Sequence, residues 1–304
     1  MSLIVVSHPD CSLHQNRQQH PESPARLQAV RERLVADGLT LIDSPAASRE
    51  HLLLAHIADY LDSLQAQLPA QGFTALDEDT GLCADSLIAA SHAVGAVVHG
   101  IEQIHAGAAK RVFCATRPPG HHAAGDRATG FCLYNGLAVG ALYARSLGFE
   151  RVAVVDFDVH HGDGSEAILA GQVGIRFHSS FQHPLFPWTG INPSAENIHN
   201  TPLEAGSGGE VIRQRLLPQW QASLQEFKPD LILVSAGFDA HSDDPLAQLQ
   251  WQSDDFALLG RWLREQADAL CHGQILAVME GGYHVSSLAE SVSAFVASWR
   301  QSDA

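Results

Sequence analysis

Short β-branched runs alternate along the chain with longer stretches whose apolar residues recur at helical spacing. Residues 3–7, 111–116, 151–158, 173–178, 230–236 and 274–280 are the strand candidates, several of them apolar along nearly their whole length. A strand that is apolar on both faces is one covered on both faces, as in a parallel sheet. Among the intervening stretches, residues 24–37 place Leu27, Val30, Leu34 and Val35 on one stripe, and Gly38 is a natural stop. Residues 85–106, 135–147, 210–226, 254–270 and 285–299 also predict helices. This alternation implies an open α/β sheet with helices on both sides. No repeat or low-complexity segment interrupts it, and residues 1–304 read as one domain. The longest irregular region is 179–209, rich in Pro, Gly, Ser and Asn; loops of that length are usually functional or disordered.

Ligands of such sheets sit at the carboxyl ends of the strands. Four polar clusters fall in that position: 117–122, 156–163, 237–239 and 280–283. The second is Asp156-Phe157-Asp158-Val159-His160-His161-Gly162-Asp163-Gly164. Read as the end of a strand, it points Asp156, Asp158 and His160 one way and Phe157 and Val159 the other. Two carboxylates and an imidazole on one face need compensating positive charge, which a divalent metal supplies. A metal-free hydrogen-bonded network is the bland alternative. Asp239, just past an apolar strand, offers a third ligand. An Asp₂His set with an open fourth place fits catalytic Zn²⁺, with Fe²⁺ or Co²⁺ also compatible.

Arg117-Pro118-Pro119-Gly120-His121-His122 presents adjacent histidines on a stiff loop, suited to proton transfer near neutral pH. Asp156 and Asp163 are candidate partners to orient the two imidazoles. In Glu280-Gly281-Gly282-Tyr283 the glycines allow close approach, and Tyr283 offers a hydroxyl donor for an oxyanion.

Bulk composition narrows the partners. With 18 Lys plus Arg against 34 Asp plus Glu the formal charge is −16, which argues against nucleic acid. An acidic surface tolerates cationic substrates. Five scattered cysteines with no CxxC pair read as reduced thiols of a cytoplasmic protein. The N-terminus reads as a first strand rather than a signal peptide, and no apolar run of roughly 20 residues is expected to span a membrane.

These motifs resemble the histone deacetylase superfamily, which includes acetylpolyamine amidohydrolases and acetoin-utilisation proteins, and bacterial members of the class II type most of all. The matching segments are 20–26 (HPESPAR), 117–123 (RPPGHHA), 130–135 (GFCLYN), 156–164, 184–190 (PLFPWTG), 235–240 (SAGFDA), 244–246 (DPL) and 280–283. The resemblance implies the arginase/deacetylase fold, a three-layer α/β/α domain around a mostly parallel sheet of about eight strands. It implies zinc ligation by Asp158, His160 and Asp239, with His122 as proton shuttle and His121 as electrostatic aid. Asp163 and Asp156 stand behind His122 and His121 respectively, and Tyr283 stabilises the transition state. Gly130, Phe131, Phe186, Trp188, Leu246 and Gly281 match the acyl-lysine channel and its surroundings, and Arg26 matches an arginine beside an internal product-exit cavity. Asp156, Asp158, His160, Ser179 and Ser180 match the ligands of a structural K⁺, several through backbone oxygens.

The implied activity is hydrolysis of an acyl amide, acetyl above all, on acetyl-lysine peptides or small acylated amines such as acetylpolyamines. A non-catalytic acyl-lysine binding protein is the alternative of a different class. Two positions depart from the family's pattern. Trp188 stands where Gly is usual and is expected to narrow the mouth. Leu246 replaces the glutamate with which a polyamine-selective relative reads a distant amine, so that particular filter is absent. Oligomeric state is open, a homo-oligomer included.

Overall fold

The structure is a computed structural model and describes residues 3–300. Its centre is an eight-stranded sheet, in which β1 (Leu3–Val6), β2 (Leu41–Ile42), β5 (Arg111–Cys114), β6 (Val152–Asp156), β7 (Ile175–Gln182), β8 (Ile198–Leu203), β9 (Leu231–Ala236) and β10 (Ile275–Met279) lie in the order β2-β1-β5-β10-β9-β6-β7-β8. Every pairing is parallel. A small antiparallel pair, β3 (Thr74–Ala75) and β4 (Gly81–Leu82), stands apart from it. The four innermost strands β5, β10, β9 and β6 are buried at every residue. That is why they read as nearly continuous apolar runs, interrupted only by Arg111, Asp156 and Ser235, rather than as alternating ones.

Helices cover both faces. α1 (Pro24–Ala36), α7 (Leu217–Phe227), α8 (Ser253–Leu270) and α9 (Val285–Ala297) pack on one core, with Val155, Val234 and Ala277 of the sheet. α4 (Ser86–His105), α5 (Gly136–Ser146) and α6 (Asp163–Leu169) pack on the other, with Val154, Leu233 and Leu276. Two short helices, α2 (Arg49–Leu52) and α3 (Ala58–Gln67), join a third cluster against α4. α4 is 20 residues long and, by length and composition alone, apolar enough to cross a membrane, which corrects the expectation that no such run exists. Within the fold 67% of its most apolar stretch is buried, so it is a core helix.

Two other expectations are corrected. Residues 179–209 are not irregular throughout: they hold the end of β7 and the whole of β8. β8, with the sequence IHNTPL, forms the sheet's edge. An edge strand pairs on one side only, so it can carry polar residues and Pro202. The stretch around 210–226 opens as a wider π-helical turn over Ile212–Leu216 before α7. Pro218 lies just inside α7 and brings no backbone donor, which suits a loosened first turn.

Candidate metal centre and active site

Because the sheet is parallel, the ends of β5, β10, β9 and β6 lie side by side at one edge. The four polar clusters follow those four strands, so a sequence spread of well over 100 residues collapses to one place. The aromatic residues between the polar ones anchor the loops from beneath. Phe157 and Phe238 are ring neighbours at 6.0 Å, and Phe256 and Phe295 lie 6.2 and 5.6 Å from Phe157. Burying each such ring stabilises by roughly 1.5–3 kcal/mol, so Asp158 and Asp239 sit beside well-held positions.

Asp158, His160 and Asp239 offer ligand atoms that all lie within 4.8 Å of one another, and all three are buried. The route to this geometry differs from the strand alternation expected. β6 ends at Asp156. Beyond it the chain turns: Asp158 N–H donates to Asp156 Oδ1 at 3.0 Å, and His160 N–H donates to Asp158 Oδ1 at 2.9 Å. Aspartates that accept from the amide two residues on build such turns locally. Across the gap, Val159 N–H donates to Asp239 Oδ1 at 2.9 Å. Asp156 is thereby set apart from the cluster, with its Oδ2 at 3.0 Å from His121 Nδ1.

The donor set fits a divalent cation. Asp158 and Asp239 are fully buried carboxylates, and Asp239 Oδ2 is buried without a hydrogen bond of good geometry. His160 Nδ1 stands 3.1 Å from Asp158 Oδ1 and 3.2 Å from Asp239 Oδ2. Burial alone would lower the His160 imidazole, yet these two carboxylates push it up to about 10. A place that raises an imidazole so far is one that demands positive charge. Glycine lets the walls close in. A Cβ at Gly281 would sit 1.9 Å from Asp239 Oδ2, and one at Gly237 would sit 2.2 Å from Asp158 Oδ2. Gly281 N–H donates to Asp158 Oδ2 at 2.8 Å. Gly281 therefore belongs behind the carboxylates rather than to the channel wall.

Beside the cluster lie His121 and His122, both buried, with ring centroids 4.0 Å apart. His122 Nδ1 meets Asp163 Oδ1 at 2.7 Å, which leaves Nε2 as its other nitrogen. Burial and the neighbouring His121 hold His122 down at about 4, so it is neutral. His121 goes the other way. Burial alone would lower it, but Asp158 and Asp156 raise it well above the usual histidine value.

A cavity of about 210 Å³ reaches this floor. His122, His160 and Tyr283 line it with Gly130, Phe131, Leu185, Phe186 and Leu246, and the exposed Asp79 joins its wall. Gly130 is held at φ 55°, and a Cβ there would lie 2.5 Å from His122 Cδ2. The next residue, Phe131, sits at φ 68° with its N–H on Thr80 Oγ1 at 2.9 Å. Phe186 meets His122 edge-on at 5.1 Å. Trp188 corrects an expectation: its indole is 68% exposed and does not line the cavity. Its backbone has φ 65°, and its N–H turns back to Leu185 O at 2.8 Å, which carries the side chain outward.

Several supporting residues stand in the quoted motifs, but their partners are not readable from local sequence. Asp244 accepts from Tyr283 N–H at 2.6 Å and Leu246 N–H at 3.0 Å, tying the tyrosine to the opposite wall. Burial, with Asp239 adding to it, raises Asp244 to about 7. Glu280 accepts from Gly120 N–H at 2.6 Å and from Ser235 Oγ at 3.2 Å. Arg26 donates to Glu280 O at 2.5 Å and Gly282 O at 2.6 Å, and its guanidinium lies 4.7 Å over the Tyr283 ring. Glu22 bridges Arg26 (3.1 Å) and Arg117 (2.6 Å), all three buried. Only the charged residues within the quoted motifs hint at this network, since its partners are up to 256 residues apart. Asp156 and Ser179 are register partners across β6 and β7, and the Ser180 hydroxyl is buried without a hydrogen bond.

Fold and site together define a parallel α/β protein built around a buried carboxylate–histidine cluster of metal-ligating type. The sequence profile of the histone deacetylase domain matches residues 20–299. The chain belongs to the histone deacetylase family. It is 35% identical over 276 residues to a histone deacetylase-like amidohydrolase of Pseudomonas aeruginosa, covering 87% of this chain and 72% of that one. It is 31% identical over 293 residues to a probable deacetylase of Archaeoglobus fulgidus, covering 92% of this chain and 81% of that one. Its fold superposes on the crystal structure of the HDA15 HD domain with a TM-score of 0.88 at 30% identity, over 97% of this chain and 87% of that one.

Proposed function

We propose that this chain hydrolyses an acyl amide, acetyl in the first place, on an acylated lysine peptide or small acylated amine, releasing the carboxylate and the free amine. One observation carries the reading: the Asp158–His160–Asp239 cluster lies beside His122 on the floor of a narrow, mostly apolar cavity. Asp158, His160 and Asp239 would hold Zn²⁺, with Fe²⁺ or Co²⁺ as substitutes, and the ion would polarise the acyl carbonyl and acidify the attacking water. The rest is the work of the chain's own groups. Neutral His122, oriented through Nδ1 by Asp163, offers Nε2 to accept the proton of the attacking water. The same nitrogen then delivers that proton to the amine as the C–N bond breaks. His121, kept protonated by Asp156 and Asp158, balances the buried carboxylates. Tyr283 remains a phenol, because burial raises it well above its usual value, and its hydroxyl donates to the oxyanion. Phe131, Phe186 and Leu246 grip the alkyl stem. We also propose K⁺ beneath the site, held by Asp156, Asp158, His160, Ser179 and Ser180; the surplus of buried carboxylate supports it.

The test is a turnover panel of acetyl-lysine peptides, acetylpolyamines and longer acyl-lysines, with and without chelator. Chelator-sensitive release of free amine from at least one class is expected; silence across the panel in metal-loaded, folded protein would sink the reading. Asp79 on the cavity wall favours a second substrate, an acylated polyamine whose distal ammonium it would meet. Asp79→Asn should then raise KM for the polyamine more than for an acetyl-lysine peptide. The five buried free cysteines support a reducing, cytoplasmic setting, and the net charge of −16 speaks against a nucleic-acid partner; self-association is to be read from solution mass.

A further inference from the structure

His160 and Leu246 face the same cavity from two different loops, and a residue outside every motif ties those loops together. Gln182 closes β7 and is 1% exposed. Its N–H donates to Val159 O at 2.8 Å. Val159 stands between Asp158 and His160, and its own N–H is spent on Asp239 Oδ1 at 2.9 Å. The residue in the middle of the cluster turn is thus gripped at both polar ends.

The Gln182 carboxamide takes hold of the second loop. Its Oε1 accepts from Gln248 N–H at 2.8 Å, and its Nε2 donates to Gln248 Oε1. A carboxamide offers donor and acceptor side by side without charge, which suits a buried side chain with a single partner residue. Two bonds to one residue fix its direction as well as its distance. Two positions before Gln248 comes Leu246 on the cavity wall, and Asp244 further back accepts from both Leu246 N–H and Tyr283 N–H. Between Asp244 and the core residue Leu249 the chain is otherwise lightly held: Pro245 is exposed, and Leu246 and Ala247 are half-buried. Gln248 O accepts from Gly206 N–H at 2.9 Å and Gln250 Nε2 at 3.2 Å, but both of those residues are themselves exposed. Gln182 is therefore the hydrogen-bonded link from Gln248 to the central sheet.

We propose that Gln182 and Gln248 form a clasp that positions the Leu246 wall against the metal-cluster turn, and so sets the width of the channel that grips the acyl-bearing stem. The proposal rests on the deacylase reading and adds to it a pair of positioning residues, since neither side chain lines the cavity. Opening the clasp weakens substrate binding alike in the ground and transition states, which raises KM and spares kcat.

The experiment measures acetyl-lysine peptide kinetics on the full metal-loaded chain, together with hydrogen exchange followed by mass spectrometry. Gln182→Met removes both bonds at nearly constant volume; KM should rise about five-fold or more, with kcat within about two-fold of wild type. Exchange across residues 244–247 should quicken about ten-fold, while β9 stays as slow as in wild type. Gln248→Glu keeps both bonds, because Gln182 Nε2 donates to either carboxylate oxygen, and should match wild type in both readouts. Combining Gln182→Glu with Gln248→Glu sets carboxylate against carboxylate and should reproduce Gln182→Met. Gln248→Leu, at an exposed position, loses the side-chain bond alone and should show a smaller rise in KM, so it carries the test if Gln182→Met folds poorly. Wild-type KM in the folded variants, a fall in kcat at constant KM, or unchanged exchange at 244–247 overturns the clasp. Wild type that hydrolyses no acyl amide would instead sink the deacylase reading on which the clasp depends.

Discussion

Asp158 and His160 converge because two aspartates accept amides from two residues further along, a short-range arrangement that sequence spacing shows even when the element is misread. The pattern Asp-x-Asp-x-His was legible; the turn behind it was not, since strand and turn both bring alternate residues together. Glu280, Asp244 and Glu22 were illegible in those roles, because their partners are remote or are backbone amides shared across loops. Two predictions belong here. His122→Ala should lower kcat by about 10²–10⁴-fold while the metal stays bound, as read by kinetics with metal analysis. Tyr283→Phe should lower it by about 10²–10³-fold with little change in Tm. Near-native rates in both would refute the assigned roles. Gly130→Ala should also slow turnover, because the new methyl presses on His122 and the backbone there has φ 55°. Wild-type kcat in that variant would show the contact to be harmless.

Among the elements, the buried strands were easy to place, since strands buried at every residue leave nearly continuous apolar runs. β8 escaped because an edge strand needs neither apolar alternation nor freedom from proline. Trp188 was expected among the channel residues, narrowing the mouth, on resemblance alone; the turn that follows Phe186 turns it outward. Glu166 of α6 gathers several of the bonds that fasten that loop. Glu166 accepts from His161 Nε2 at 2.8 Å, Ser194 N–H at 2.9 Å and Asn200 Nδ2 at 2.6 Å, while His161 Nδ1 meets Thr189 Oγ1 at 2.8 Å. Burial would raise the Glu166 carboxyl, but these donors, His161 foremost, hold it at about 2. Glu166→Ala should therefore cost about 1.5–3 kcal/mol and loosen the Phe186 wall. KM should rise more than kcat falls, and limited proteolysis should cut between 186 and 196. Unchanged KM with an intact loop would contradict this.

At the scale of the whole molecule, the Glu22–Arg26–Arg117 network connects α1, the loop after β5 and the turn after β10. Burial alone would push the Glu22 carboxyl up; the Arg117 guanidinium, with Arg26 behind it, holds it at about 2 against an ordinary 4.5. A depressed acid stabilises the fold above its unfolded pKa and loses that contribution as pH falls toward the folded value. The contribution is present above about pH 4.5, amounts to about 3 kcal/mol, and fades between pH 4.5 and 2. Urea titrations should show that acid limb in wild type and lose it in Glu22→Gln. An identical pH dependence in the two proteins would argue against the network.

On the proposed reading, amide hydrolysis depends on a cation held by Asp158, His160 and Asp239. The deciding measurement is the rate of acetyl-lysine peptide hydrolysis in chelator-stripped protein before and after Zn²⁺ is returned. Turnover should disappear on stripping, recover in wild type with Zn²⁺, and stay absent in Asp239→Asn. A protein verified as metal-free that still hydrolyses the peptide at full rate would contradict it.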